Sequence, residues 1–249
     1  MRAYLTLVRR ELAGFFLSLS GYIIIAAAAL MMGLSFVIIL DKLQKPSPMP
    51  VTELFYVTPF FWLILLLTAP VITMRLFAQE KFTGTFETLM TTPVSDMQVV
   101  AAKFTAAMLF HVLMWLPLLG CILLVRHYTS DTTVLDVGVI GGSFLGIVLL
   151  GALFLSLGCC ASALTRSQVI AAMISLVFGA SVFLLGYLAS QLPAQPNWQS
   201  QVLSSLALFE QMHDFARGVV DTRPVVLLLS LSGFFLFLTL RVVESRRWK

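Results

Sequence analysis

Long apolar runs alternate with short polar segments along this chain. Six runs contain no Asp, Glu, Lys or Arg, and they lie at residues 12–40, 54–74, 104–125, 137–165, 167–209 and 224–240. A membrane-spanning helix needs roughly 20 apolar residues, and these runs are continuous rather than alternating, which favours helices over strands. The fifth run turns polar after Ser190, so it supplies one span and then a loop. The pattern therefore predicts six membrane-spanning helices.

The predicted architecture is one all-α membrane domain that covers residues 1–249. Its spans are predicted at 18–40, 56–75, 98–125, 137–163, 168–190 and 223–241. Three further pieces complete it: a helix at 1–17 that lies on the membrane surface, a polar segment at 76–97, and short external helices at 198–221.

The N-terminal helix is predicted from one apolar stripe. The stripe consists of Tyr4, Val8, Leu12 and Phe15, and the basic residues Arg2, Arg9 and Arg10 fall mostly elsewhere on the helix. This pattern is typical of an amphipathic helix at a membrane interface. The alternative is a simple start to the first span.

Composition and charge support the membrane class and set the orientation. Hydrophobic residues make up 59% of the chain and charged residues 11%, against about 25% charged in soluble domains. If the N-terminus lies in the cytoplasm, eleven of the 16 Lys and Arg residues lie inside and five outside. The positive-inside rule therefore predicts that both termini are cytoplasmic. The net charge is +4, but the basic residues are distributed according to the side of the membrane. No nucleic-acid partner is therefore expected.

Two stretches predict specific helix contacts. Gly138, Gly142 and Gly146 recur at four-residue spacing in the fourth span, and small residues on one face let two helices approach closely. This face packs either within the chain or between subunits. Before the last span, a second apolar stripe is formed by Leu208, Met212, Phe215 and Val219, with Gly218 as a break and Asp221 or Thr222 as the cap of the last span.

The polar segment between spans 2 and 3 has a pattern of its own. Thr85 is placed to cap a short helix at 86–91 that Pro93 ends. The apolar side of the segment consists of Phe82, Phe86, Leu89 and Met90. Ser95, with Gln98 three residues later, forms a capping box that opens span 3. A short amphipathic helix held between two spans fits a groove on another protein; the alternative is a loop that rests on the membrane.

Most chemistry is excluded by missing patterns. The chain has no G-x-x-x-x-G-K-[ST] sequence, so it cannot bind ATP by a P-loop, and no metal-ligand spacing is present. No span carries a pair of carboxylates that would suit an ion-coupled secondary transporter. His111 in span 3 is either functional or bonded to a neighbouring helix. Energy for any active work must therefore come from a partner, and no cofactor is expected on this chain.

Three stretches resemble the ABC-2-type permeases, especially their gliding-motility and copper-maturation branch. The first is Arg75…Glu80…Gly84-Thr85-x-Glu87-x-Leu89…Thr92-Pro93-x-Ser95…Lys103. The second is Phe209…Phe215-Ala216-Arg217-Gly218-Val219-Val220-Asp221, and the third is Val243-Glu244-x-Arg246-Arg247-Trp248. The resemblance covers nearly the whole chain. Two departures are Gln79 where the family has a second acid, and Ala102 where it has glycine.

The resemblance implies a permease half that dimerises with a second copy, equal or different, and works with a separate ABC ATPase, which binds ATP and magnesium. It implies an inner (cytoplasmic) membrane of a bacterium, contact with lipids, and room for an auxiliary protein outside. The implied ATPase-coupling residues are Glu80, Thr85, Phe86, Glu87, Leu89, Met90 and Pro93, and the residues supporting the cytoplasmic gate are Arg75 and Lys103.

Two hypotheses for the function follow. The first hypothesis is a permease subunit of an ATP-driven exporter that moves a lipid-like or amphipathic substrate out by alternating access. The alternative is a membrane anchor that transmits ATPase work to an external partner without moving a solute. Apolar and hydroxyl side chains in the spans suit lipids, but they identify no particular substrate.

Overall fold

The computed structural model describes residues 2–43, 55–56, 58–86, 94–128, 137–191 and 207–245. It is 90% helical, and no strand occurs in the part of the chain that it describes. In that part the helices are α1 (Arg2–Phe16), α2 (Leu19–Leu43), α3 (Pro59–Thr73), α4 (Ala78–Thr83), α5 (Asp96–Tyr128), α6 (Val137–Leu164), α7 (Gln168–Gln191), α8 (Leu208–Ala216) and α9 (Thr222–Ser245). Among the described residues, six segments are long and apolar enough to cross a membrane, which confirms the predicted number.

The helix α6 lies at the centre of the bundle and contacts α3, α4, α5, α7, α8 and α9. Its glycines make these contacts close. A Cβ on Gly142 would lie 2.7 Å from the backbone oxygen of Phe215, and one on Gly146 would lie 2.7 Å from the Met212 sulfur. Gly142 and Gly146 of this face therefore pack within the chain, against α8, whereas Gly138 is exposed.

The helix α1 packs along the first half of α5. Val8 forms a small core with Ala102 and Ala106, and the rings of Phe15 and Phe110 stack with centroids 4.8 Å apart. The sequence predicted a helix that lies on the membrane surface. In the structure its apolar stripe packs against α5, where the small side chains of Ala102 and Ala106 leave a shallow surface that the stripe fills. The interfacial position of α1 stays a prediction.

The second span differs from its prediction at both ends. The predicted helix covers 56–75, whereas α3 begins at Pro59 and ends at Thr73, and a turn at 74–77 leads into α4. Sequence reasoning did not include α4. Gly84 then adopts a φ of +75° directly after α4, a conformation that ends helices and that glycine adopts most easily.

Two predicted helix starts and one predicted break are confirmed. The amide of Gln98 donates to Ser95 Oγ (3.3 Å) at the start of α5, and the amide of Arg223 donates to Asp221 Oδ1 (3.2 Å) at the start of α9. Gly218, with a φ of +79°, follows α8. The apolar stripe of α8 is buried at Leu208, Met212 and Phe215, but Val219 lies beyond the helix and is exposed, since the chain has already turned there.

Candidate coupling site at the charged end of the bundle

Charged side chains gather at one end of the bundle, where α1, the turn at 74–77, α4 and the start of α5 meet. Four of them are in direct contact, and we call them the charged cluster: Arg10, Glu11, Glu80 and Lys103. Arg75 lies close by, in the turn. We call this end of the bundle the charged end.

Two carboxylates share two cations in the charged cluster. Glu80 Oε1 lies 2.8 Å from Arg10 Nη2 and 3.0 Å from Lys103 Nζ. Glu11 Oε1 lies at the same two distances from the same two nitrogens. Since Arg10 and Glu11 belong to α1, Glu80 to α4 and Lys103 to α5, the cluster ties three separate elements together.

Burial makes Lys103 the most demanding member of the cluster. Its side chain is only 2% exposed, and a buried ammonium is stable only when it is paired. The two carboxylates supply that pairing, and the Phe77 ring faces Lys103 Nζ at 5.5 Å. Arg10, by contrast, is half exposed, so its share of the pairing is weakened by solvent.

The electrostatics of Glu11 follow from the same geometry. Burial alone would raise the pKa of its carboxyl, but the charge of Lys103 and the hydrogen bonds from Arg10 and Lys103 outweigh burial, so the pKa lies below the usual 4.5. For Arg10, burial alone would lower the pKa of the guanidinium, but the hydrogen bonds and charges of Glu11 and Glu80 outweigh burial, so the pKa is raised. Both groups are therefore held in their charged forms.

A second set of contacts anchors α4 to the end of α6. Ser162 Oγ accepts hydrogen bonds of 3.1 Å from the amides of Phe77 and Ala78, and it donates to the Met74 carbonyl. Lys81 Nζ donates to the Ala163 carbonyl. The turn and α4 are therefore attached to the central helix as well as to α1 and α5.

The aromatic residues near α4 have opposite exposures. Phe82 is 77% exposed, whereas Phe86 is 6% exposed and lies beneath Lys81, whose Nζ is 5.3 Å from the ring centroid. Phe86 is therefore enclosed in the described structure, and its predicted contact with the ATPase stays a prediction. Phe82 presents its ring outward instead. The left-handed Gly84 ends α4 between the two residues, so they do not share one helix face.

The other predicted coupling residues are only partly described. The exposed Thr85 hydroxyl lies 2.9 Å from that of Thr83. Four of the predicted residues and most of the predicted helix at 86–91 lie outside the residues that the structure describes: Glu87, Leu89, Met90 and Pro93.

Of the two predicted gate residues, Lys103 lies at the centre of the charged cluster and Arg75 beside it. Arg75 donates through Nη1 to the Ser20 hydroxyl at the start of α2. Its Nε is buried and makes no hydrogen bond to any described residue. Arg75 therefore has no carboxylate partner in the described part of the chain, unlike Arg10 and Lys103.

Sequence reasoning missed the roles of Arg10, Glu11 and Ser162. A signal was present for Glu11, because Lys103 is the only charged residue between Asp96 and Arg126, and a cation within a span requires an acidic partner. The search for that partner could have turned to the N-terminal helix. For Ser162 there was no signal, since a lone serine at the end of a span has many ordinary uses.

His111 lies far from the charged end, deep in the bundle. Its ring packs directly on Gly151 of α6, where a side chain would overlap it. It faces the backbone of Ile147 without a hydrogen bond of normal geometry. The imidazole is fully buried and fills the space that the glycine leaves open, and a functional role for His111 stays a prediction.

In the described residues, six membrane-length helices with α6 at their centre, and a charged end that joins α1 to the segment between two spans, define a polytopic membrane protein. The model of the ABC-2 family transporter proteins matches residues 34–241, and the chain belongs to this family. A search of curated proteins gave no match.

Membership of the family makes the chain a membrane permease subunit of an ABC exporter and implies pairing with an ABC ATPase subunit. The matched range begins at residue 34, so it does not include α1, and the contacts of α1 are known from the structure and not from the family match. The gliding-motility and copper-maturation branch stays a prediction.

Proposed function

We propose that the chain is one half of an ATP-driven exporter that pairs with a second permease copy in a bacterial inner membrane. In this proposal the charged end faces the cytoplasm, a separate ATPase docks there, and a lipid-like or amphipathic substrate leaves by alternating access. The observation that carries the proposal is the attachment of α4 to three different elements at once.

The mechanism follows from those attachments. The ATPase contacts the segment that begins at the exposed Phe82 and continues through the predicted coupling residues up to Pro93. When ATP closes the ATPase dimer, this segment moves. The motion passes through Glu80 to α1 and α5, and through Ser162 to the central helix α6. ATP and magnesium bind in the partner. This chain supplies the segment that transmits the motion and the membrane-spanning helices between which the substrate moves.

The polar groups buried in the spans support a lipid-like substrate. Among the described residues, the buried polar side chains within the membrane-length helices are mostly hydroxyls, and none is a carboxylate. Proton relays within membranes use chains of Asp, Glu or His, and among the described residues of these helices His111 is the one buried side chain of these three types. A helix bundle whose buried polar groups are mostly hydroxyls suits a substrate with a long apolar part.

The proposal is tested by reconstitution. The chain is purified with the ABC ATPase encoded nearest to it and placed in liposomes that contain a fluorescent phospholipid and, separately, an amphipathic dye. We expect ATP-dependent movement of at least one probe, and none with an ATPase whose catalytic glutamate is changed to glutamine. ATP hydrolysis without movement of any probe would instead support the alternative, a membrane anchor that drives an external partner.

A further inference from the structure

A cavity of about 430 Å³ opens at the charged end, between α1, the turn at 74–77, α4 and α5. Its walls include Gly14 and Ser18 from the N-terminal segment and Arg75 from the turn. We propose that this cavity binds the phosphate of an anionic phospholipid headgroup and that Arg75 is its main ligand. This inference does not depend on what the protein transports.

The charges of the cavity walls favour an anion. Three cations and two carboxylates line the cavity: Arg10, Arg75, Lys103, Glu11 and Glu80. The carboxylates are already paired with Arg10 and Lys103. Arg75 is left as a half-buried cation whose only described hydrogen bond goes to the neutral Ser20 hydroxyl. One negative charge would therefore neutralise the site.

The chemistry of Arg75 favours a phosphate. A guanidinium presents a planar set of donors that matches two phosphate oxygens at once. Hydroxyl groups lie on the same cavity walls, at Ser18, Thr83 and Thr85, and each could turn its single O–H from the backbone carbonyl that it now faces to a phosphate oxygen. A site built from one guanidinium without a carboxylate partner and several hydroxyls is more suitable for a phosphodiester than for an apolar ligand.

The position of the cavity favours a lipid rather than a free anion. Ser18 lies in the corner between α1 and α2, and α2 begins one residue later as a membrane span. The two residues that flank this corner residue, Leu17 and Leu19, are 86% and 78% exposed. Exposed leucines beside a cation at the end of a span place apolar surface for acyl chains next to charge for the headgroup.

The test measures lipid binding by native mass spectrometry of the full-length protein in detergent, with phosphatidylglycerol, phosphatidylcholine or inorganic phosphate added separately. Arg75→Gln removes the guanidinium. Gly14→Leu fills the cavity instead, because a Cβ at Gly14 meets only open space. The matched controls are Gly33→Leu, where a Cβ in α2 also meets open space, and Arg241→Gln, which removes an exposed arginine from α9.

We expect phosphatidylglycerol to bind the wild type and both controls with equal affinity, and to bind Arg75→Gln and Gly14→Leu roughly tenfold more weakly or worse. A melting temperature measured on each variant identifies any that fails to fold, and Gly14→Leu leaves every charge in place. The proposal would be overturned if Arg75→Gln and Gly14→Leu bound phosphatidylglycerol as tightly as the wild type does. Equal binding of phosphatidylcholine, or of inorganic phosphate, would overturn the assignment to an anionic lipid.

Discussion

Lys103 and Glu80 form an ion pair of 3.0 Å between α5 and α4, and the lysine is almost completely enclosed. The same ammonium also binds Glu11 of α1 at 3.0 Å. One buried cation therefore connects the short helix α4 to α1 and α5, at the end of the bundle that is proposed to face the cytoplasm. Any displacement of α4 must either move α1 and α5 or break this contact.

The first prediction concerns Glu80. In Glu80→Gln, Lys103 retains only one carboxylate, so we expect the free energy of unfolding to fall by about 1–3 kcal/mol. Unfolding of the purified protein in mixed micelles with increasing SDS measures this change. The matched control is Glu244→Gln, which breaks the exposed pair between Arg241 and Glu244 and should alter stability by less than about 0.5 kcal/mol. Equal effects of the two substitutions would show that the buried cluster has no special role.

The second prediction concerns pH and Glu11. The pKa of Glu11 lies below its usual 4.5 in the folded protein, so the unfolded chain takes up a proton more readily than the folded one. The contribution of Glu11 to stability is therefore fully present above the usual pKa and is lost as the pH falls through the lowered folded pKa.

This is checked by comparing the melting temperatures of the wild type and Glu11→Gln across the acid range. The wild type should melt higher near neutral pH, and the difference should stay constant down to about pH 5 and shrink below the usual carboxyl pKa. A difference that grows as the pH falls is the result that contradicts a lowered pKa.

The third prediction separates Phe82 from Phe86. Because Phe86 is buried beneath Lys81, Phe86→Ala should lower the free energy of unfolding by about 3 kcal/mol. Phe82→Ala removes an exposed ring and should change stability by less than about 0.5 kcal/mol. Only Phe82→Ala should weaken ATPase binding in a chain that remains stable. A pull-down with the ATPase, with melting curves on both variants, distinguishes the two roles; a stable Phe86→Ala variant would mean that the ring is not a packing group.

The fourth prediction concerns the contact between Gly151 and His111. Gly151→Ala would force its methyl group into the imidazole, and we expect a loss of about 1–3 kcal/mol. Adding His111→Ala removes the three atoms that lie nearest to the methyl group, so the double variant should be more stable than the sum of the two single effects predicts. Gly141→Ala is the control, since a Cβ there meets nothing. Strict additivity would show that the two residues are not in contact.

The fold was largely predictable because hydrophobic length alone reports a membrane span. The capping prediction at Ser95 and the break at Gly218 were also correct, since both depend on short-range chemistry. The end of α3 was not predictable. It depends on Ser162, a residue far away in the sequence, which holds the turn at 74–77 in place.

The connections of the charged cluster were not predictable. The roles of Glu80 and Lys103 were implied by the family resemblance, but their partners on α1 belong to a part of the chain that sequence reasoning placed on the membrane surface. Amphipathic periodicity shows that a helix has an apolar face, and it does not show whether lipid or another helix covers that face. The burial of Phe86 was hidden for the same reason.

The central claim is that a separate ATPase drives this permease through the segment between spans 2 and 3. The most direct test is the affinity of the purified ATPase for the chain in lipid nanodiscs, read from stimulation of ATP hydrolysis. The variant carries Phe82→Ala and Glu87→Gln, and the control carries Phe234→Ala and Glu210→Gln, which remove an exposed phenylalanine and an exposed glutamate elsewhere. The account predicts roughly tenfold weaker apparent affinity for the variant and a control that equals the wild type. Stimulation of the same size and affinity in all three proteins would contradict it.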